Sequence, residues 1–422
     1  MFIVQFTFDL FIACYNIMYF MKKTLQVLSL TITATLSLSL LAFKPAKTAS
    51  HLKPIADTTQ LKFTVEEAPE WTALFKRSSG WLGGDGIFAM PLNGLDNIKA
   101  GPNAQTMFIF SDSIIGEIAD GELTSPGVDM VHNSVAYLKG SEAKKENLEF
   151  VFAKKEDGSP DHMFEPKTTA ETQKGDYYWL GDGFVNTELN NTMYIFAWHM
   201  RNTDKRDDWS FTDLSTNLIA IPAGSKPPFK NSRQIITPLR LGKGDVFGAG
   251  IFVNTKASGA PNPDGYVYVY GVRPGKQLIV ARVLPKNFEK FGEWRFWDGG
   301  GWNADMQKVA VIANRVSNEL SVTALTDGRY ALVYQMDGMS SKVALRVGST
   351  PYSNFGTMQE VYDCKEGQKK NIITYNAKVH PSLSSPGEII ISYNVNAFDF
   401  KNEIKADPNL YRPRFLKLKI QQ

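Results

Sequence analysis

Apolar residues in this chain come in short runs. Met107–Phe110, Tyr194–Trp198, Asn217–Ile221, Tyr266–Tyr270, Leu278–Val283, Tyr330–Gln335, Val343–Val347 and Glu388–Asn394 are each bounded by Gly, Pro, Asn, Asp or Ser. Runs of this length, rich in β-branched and aromatic residues, predict strands. No stretch carries a long amphipathic period of 3.6, and the best helical segment is a short one at Ala304–Ile312.

One phrase recurs. Trp81-Leu82-Gly83-Gly84-Asp85-Gly86-Ile87-Phe88 leads to Met107-Phe108-Ile109-Phe110, and Trp179-Leu180-Gly181-Asp182-Gly183-Phe184-Val185 leads to Met193-Tyr194-Ile195-Phe196. A weaker copy, Phe247-Gly248-Ala249-Gly250-Ile251-Phe252-Val253, leads to Tyr266–Tyr270. Each copy reads as a glycine turn, a short strand, a loop and an apolar strand. Self-similarity of this kind in an all-β chain predicts a propeller, whose innermost strands face a central funnel.

The strands group into five blades, at about 70–155, 176–240, 245–300, 305–362 and 376 to the C-terminus. The fold class predicted is therefore all-β, a five-bladed β-propeller, with a pair of β-sandwiches as the alternative. Leu61–Val65 is placed against the last blade, where it closes the ring and covers an exposed sheet edge. One propeller domain spans 61–422, after a polar linker at 51–60.

The N-terminus reads differently. Met21-Lys22-Lys23 precedes an apolar stretch from Leu25 to Phe43, and small residues follow at Ala46, Thr48, Ala49 and Ser50. This pattern predicts a secretory signal peptide within residues 1–50, with Met21 as the true start and export from the cytoplasm. An uncleaved membrane anchor is the other reading. Residues 1–50 carry four lysines against one aspartate, so of 46 basic and 43 acidic residues 42 of each remain beyond them. A neutral body gives no reason to expect nucleic acid as a partner. Cys14 lies in the leader, which leaves Cys364 without a partner for a disulfide. No obligatory protein partner is predicted.

Carboxylates at strand ends carry the candidate chemistry. Asp85 stands between glycines, and Asp112 ends the following strand in Phe-Ser-Asp-Ser. Cleaving a glycosidic bond takes one carboxyl group as acid and another as base or nucleophile. Asp85 and Asp112 are the candidate pair, with Asp182 and Glu319 as further site carboxylates. Asp85 and Asp112 each also have a plain reading as a turn residue. Ala249 replaces the acid in the third copy, so the repeat does not need one to fold. Candidate sugar-binding residues are Trp81, His132, Asn133, Trp179, His380 and Asn394. Five histidines and the absence of metal-binding or phosphate-binding motifs predict no metal and no cofactor.

Gly-Gly-Asp-Gly followed by Phe-Ser-Asp-Ser resembles the opening of secreted bacterial five-bladed propeller domains related to endo-D-arabinanases. Asn318–Val322 with Thr326–Tyr330, His380-Pro381 with Ile391–Asn394, and Tyr411–Phe415 resemble the late blades of propeller glycosidases. This chain has Ser111 where the pattern has Gly, and Ser113 where it has Thr. The resemblance implies a five-bladed fold, a glycan-directed role and Asp85 and Asp112 as the catalytic pair. The function expected is an exported glycoside hydrolase acting on an arabinan-like or related polysaccharide. A glycan-binding propeller without catalysis and a structural surface protein are the alternatives.

Overall fold

The computed structural model describes residues 60–124, 128–169, 171–203, 210–352 and 355–421. The proposed leader lies outside them. Among the described residues, no helix is long and apolar enough to cross a membrane.

The chain is a five-bladed β-propeller. The blades begin with the inner strands Ser79–Pro91, Tyr177–Asn186, Val246–Asn254, Leu320–Ala324 and Ile372–Val379. Each continues outward through antiparallel neighbours. The first blade, for example, runs through Gln105–Ala119, Ser134–Lys139 and Leu148–Val151. The fifth is completed by the N-terminal strand Phe63–Glu67, paired antiparallel with Arg414–Ile420 from Phe63 opposite Ile420 to Glu67 opposite Leu416. The ring is thus closed by joining the two ends of the propeller domain, as the sequence predicts.

The apolar runs are continuous because each sheet is covered on both faces. Met107 and Ile109 pack with Tyr178, Leu180 and Ile195 of the second blade. Phe108 and Phe110 point the other way, onto Phe415 and Ile390 of the fifth. A strand buried on both faces has no solvated side to mark with polar residues. The same split recurs at Val267 and Val269 against Tyr268 and Tyr270. Hydrophobic burial between neighbouring blades therefore holds the ring together.

The structure corrects three local readings. The 304–312 stretch is not a helix; a single 3-10 turn at Met306–Lys308 follows Asp305, whose side chain caps Gln307 N–H. Two short helices instead form at Pro69–Leu74 and Phe400–Ala406. The first has Pro at its start, where no N–H is needed, and it buries Trp71 and Leu74. The glycine segments are not turns before a strand. They are bulges inside one continuous inner strand, with the register shifting between Leu180 and Gly183, between Phe247 and Gly250, and at three steps from Trp81 to Phe88.

Glycine is required at these bulges. Gly86 has φ of +82°, a region that other L-residues rarely enter. A Cβ on Gly83 would lie 1.7 Å from the carbonyl oxygen of Tyr411, so the first and fifth blades meet there backbone to backbone. A bulge also re-aims the side chain at its apex. In the first and second blades that side chain is Asp85 and Asp182, and a further bulge in the fifth blade separates Tyr375 from Lys378.

Candidate active site

Asp85 is the centre of the site. Its Oδ2 accepts a hydrogen bond of 2.7 Å from the Tyr375 hydroxyl, on the fifth-blade inner strand. Tyr411 donates its hydroxyl to the Asp112 backbone carbonyl over 3.2 Å and lies close enough to Asp85 to act on its carboxyl. Tyr411 therefore joins the two acids of the first blade. Burial, then the charges of Asp112 and Glu319, push the Asp85 carboxyl up to about 8, against the opposing effect of the Tyr375 and Tyr411 hydroxyls. Asp85 holds a proton at neutral pH.

Asp112 faces a different partner. Its Oδ1 lies 2.8 Å from Nδ1 of His132. The His132 ring stacks on Tyr177 at 3.8 Å between centroids and on His162 at 4.8 Å. The His132 backbone N–H donates to Nδ1 of His162 over 2.8 Å. Burial, followed by the neighbouring His132, lowers the pKa of His162.

Asp182 occupies the same bulge position as Asp85 but is engaged differently. Its two oxygens accept backbone N–H groups of Gly183 at 2.8 Å and Ile251 at 2.7 Å. Burial pushes it up to about 7 despite those bonds. It lines a cavity of about 50 Å³ bounded by residues of all five inner strands, among them Phe88, Ile251, Leu320, Lys378 and Val379. Asp96 lines it too, and burial with the nearby Asp182 raises Asp96 to about 8.

Glu319 is buried and paired with Lys378, Nζ to Oε2 at 2.7 Å. Lys378 also donates to the carbonyl of Gly86 and lies 4.5 Å above the Phe88 ring. Burial raises the Glu319 pKa and Lys378 opposes it. This ion pair ties the fourth, fifth and first blades together at the axis.

The structure brings Asp85, Asp112 and His132 into one neighbourhood, with Glu319 near enough to act on Asp85 through charge. Trp179 is half-buried beside Tyr177 and Phe211, on the His132 side of the site. The other predicted sugar contacts are packed away from solvent. Trp81 is 1% exposed and stacks on Phe150 in the core between the first and fifth blades. Asn133 is fully buried and staples the Phe164 N–H and C=O and the Tyr178 carbonyl. His380 is buried against Ser392 at 2.7 Å, and burial lowers it to about 3, so it is neutral. Asn394 is buried, and its amide finds no partner among the described residues.

The sequence reading did not single out Tyr375, Tyr411 as a site residue, or Lys378. Tyr375 and Lys378 flank a bulge at Asn376, which has φ of +58°. A lysine in the apolar run Ile372–Val379 was the one visible signal, since a charge there must be paired.

Asp161, His162 and Glu165 bring one donor atom each within 4.8 Å of one another. They do not suit a cation. His162 Nδ1 already accepts the His132 N–H, so the neutral ring carries its proton on Nε2 and has no free lone pair.

A family model described as a domain of unknown function, DUF5005, matches residues 69–420. The chain belongs to the DUF5005 family. No curated protein matches it. Among solved structures, it is similar to a candidate hydrolase from Bacteroides ovatus, with a TM-score of 0.65 and 19% identity, covering 86% of this chain and 92% of that one. It also resembles the GH43_1 enzyme from Xanthomonas citri complexed with xylotriose, with a TM-score of 0.40, 14% identity, and coverage of 84% and 93%. An exo-beta-1,3-galactanase from Phanerochaete chrysosporium gives 0.43 and 8%, covering 81% of this chain and 62% of that one. At these identities the likeness to the B. ovatus structure speaks for the propeller fold alone.

Proposed function

We propose that this DUF5005 chain is an exported glycoside hydrolase acting on a polysaccharide, of the arabinan-like kind that the opening motifs resemble. One observation carries the reading: two carboxyl groups on adjacent strands of one blade sit in contrasting environments. Asp85 is held protonated by burial and by its acidic neighbours, and Asp112 is hydrogen-bonded to an imidazole. Separating the proton affinities of two neighbouring acids is how a glycosidase assigns an acid and a base.

In this reading Asp85 protonates the departing glycosidic oxygen. Asp112 with His132 serves the opposite side, where water attacks. Tyr375 and Tyr411 orient Asp85, and Lys378 with Glu319 holds the bulge in place. Trp179, half-buried at the edge of the site, offers aromatic surface for the sugar ring. Export follows from the basic, apolar and small-residue pattern of residues 1–50.

The test is a panel of arabinans and other plant and microbial polysaccharides, incubated with the purified protein and assayed for new reducing ends. Release from one polymer, lowered about 10²–10⁴-fold in Asp85→Asn, establishes the reading. Binding to a glycan with no release at any pH replaces it with a glycan-binding propeller.

A further inference from the structure

Resting on the hydrolase reading, we infer that the proton acceptor for the attacking water is Nε2 of His132, and that Asp112 is the residue that positions it. From the sequence, His132 is a candidate to bind sugar hydroxyls or to orient a carboxylate, not to act as the base.

Three observations support this. Asp112 Oδ1 lies 2.8 Å from His132 Nδ1, and a carboxylate in that position accepts a proton from nitrogen. The neutral ring therefore carries hydrogen on Nδ1 and a lone pair on Nε2. The ring cannot swing away, because Tyr177 stacks on it at 15° and His162 at 24°. Its own backbone N–H is bound to His162, which locks the neighbouring ring as well. Finally, the His132 side chain is 25% exposed, and Nε2 makes no hydrogen bond among the described residues. A fixed imidazole with an open lone pair has the form of a general base.

The groups facing His132 are Asp112 from the second strand of the first blade, Tyr177 from the second-blade inner strand and His162 from the preceding loop. Asp161 and Lys155 act on His162 in turn. Among these, only Asp112 bonds the His132 ring, so only it sets the tautomer.

The step balances as a single displacement. Water gives one proton to Nε2 and its oxygen bonds to the anomeric carbon. The bond from that carbon to the glycosidic oxygen breaks, its electron pair stays on the oxygen, and the Asp85 proton neutralises it. The imidazolium and the Asp85 carboxylate then exchange protons with solvent. The anomeric configuration inverts.

Two measurements test this on the full chain. The first needs no substrate: long-range proton–nitrogen spectra of protein labelled with ¹⁵N-histidine, with His132 assigned by comparison with His132→Gln. We expect a neutral Nδ1–H ring at alkaline pH, and a mixed tautomer in Asp112→Ala. An Nε2–H ring in the wild type, or a tautomer indifferent to Asp112→Ala, overturns the inference. The second uses a dinitrophenyl glycoside of the sugar released from the polysaccharide panel, whose leaving group needs no acid. Asp85→Asn then keeps most of its turnover. His132→Gln loses about 10²-fold or more, and azide restores turnover in His132→Ala. If His132→Gln stays within about threefold of wild type while Asp112→Asn is inactive, the carboxylate itself is the base and the inference fails. A wild type that cleaves no glycan overturns the hydrolase reading instead, and the spectra keep the two failures apart.

Discussion

Tyr375 donates its phenolic hydrogen to Asp85 across 2.7 Å, although the two residues are 290 positions apart in the chain. Asp85 sits at the apex of a bulge in the first inner strand, and Tyr375 begins a bulge in the last. Their contact crosses the seam where the propeller closes. It gives the chain a carboxyl group whose protonation depends on the ring being intact.

Removing that bond should move the acid. The Tyr375 hydrogen bond favours ionised Asp85, so Tyr375→Phe raises its pKa further. A lost hydrogen bond of about 1–1.5 kcal/mol corresponds to about one pH unit. On a substrate found by the glycan panel, the alkaline limb of kcat/KM is expected to shift upward by up to that amount. A limb that does not move would show that Asp85 does not control it.

Stability should fall on the alkaline side. Asp85 and Asp182 are raised to about 8 and about 7 from an ordinary 3.8. The fold therefore prefers their protonated forms. Their contribution is complete below about pH 4 and is lost as pH rises through 7 to 8. Thermal unfolding at pH 5 and pH 9 should show a drop in Tm that is reduced in Asp85→Asn and reduced further in Asp85→Asn with Asp182→Asn. An equally steep drop in the double variant would refute this.

The axial ion pair should be costly to break from one side. Lys378→Met leaves the Glu319 carboxylate buried without its counter-charge. The expected loss is about 3–5 kcal/mol, and Lys378→Met with Glu319→Gln should recover part of it. Denaturant titration of both variants checks this, and a double variant less stable than the single one would count against the pairing.

Blade closure can be probed at a single methyl group. Gly83→Ala places a Cβ 1.7 Å from the Tyr411 carbonyl, so the first and fifth blades must separate. Overpacking of this kind costs about 1–3 kcal/mol or more. Gly101→Ala, where nothing lies within 4 Å, is the matched control. The expected result is a marked loss of Tm for the first and little change for the second.

The fold was legible because its determinants are local and repeated. Apolar runs such as Met107–Phe110 mark strands whatever they later pack against, and the glycine phrases mark equivalent places in three blades. The pairing of Phe63–Glu67 with the last blade followed from the need to cover an edge. The glycine segments were harder to read. A bulge and a turn use the same residues, and only the partner strand's register tells them apart. The 304–312 stretch misled for a related reason: Asp305 caps one 3-10 turn, and the chain leaves it at once.

The candidate site was half legible. Asp85 and Asp112 stand out because acids between glycines or at the end of an apolar run are conspicuous. Asp182 looks the same in sequence, yet its oxygens are taken by backbone N–H groups, including that of Ile251 in the next blade. Trp81 and Asn133 looked equally available, but interblade packing encloses both.

The sequence by itself determined the strands, the repeat and a ring of five blades, because side-chain periodicity and glycine placement act over a few residues. Only the tertiary structure decided which carboxyl meets Tyr375, which meets Lys378 and which faces His132. Those contacts join different strands and often different blades, and the burial and neighbouring charge that set each proton affinity exist only once the ring has closed.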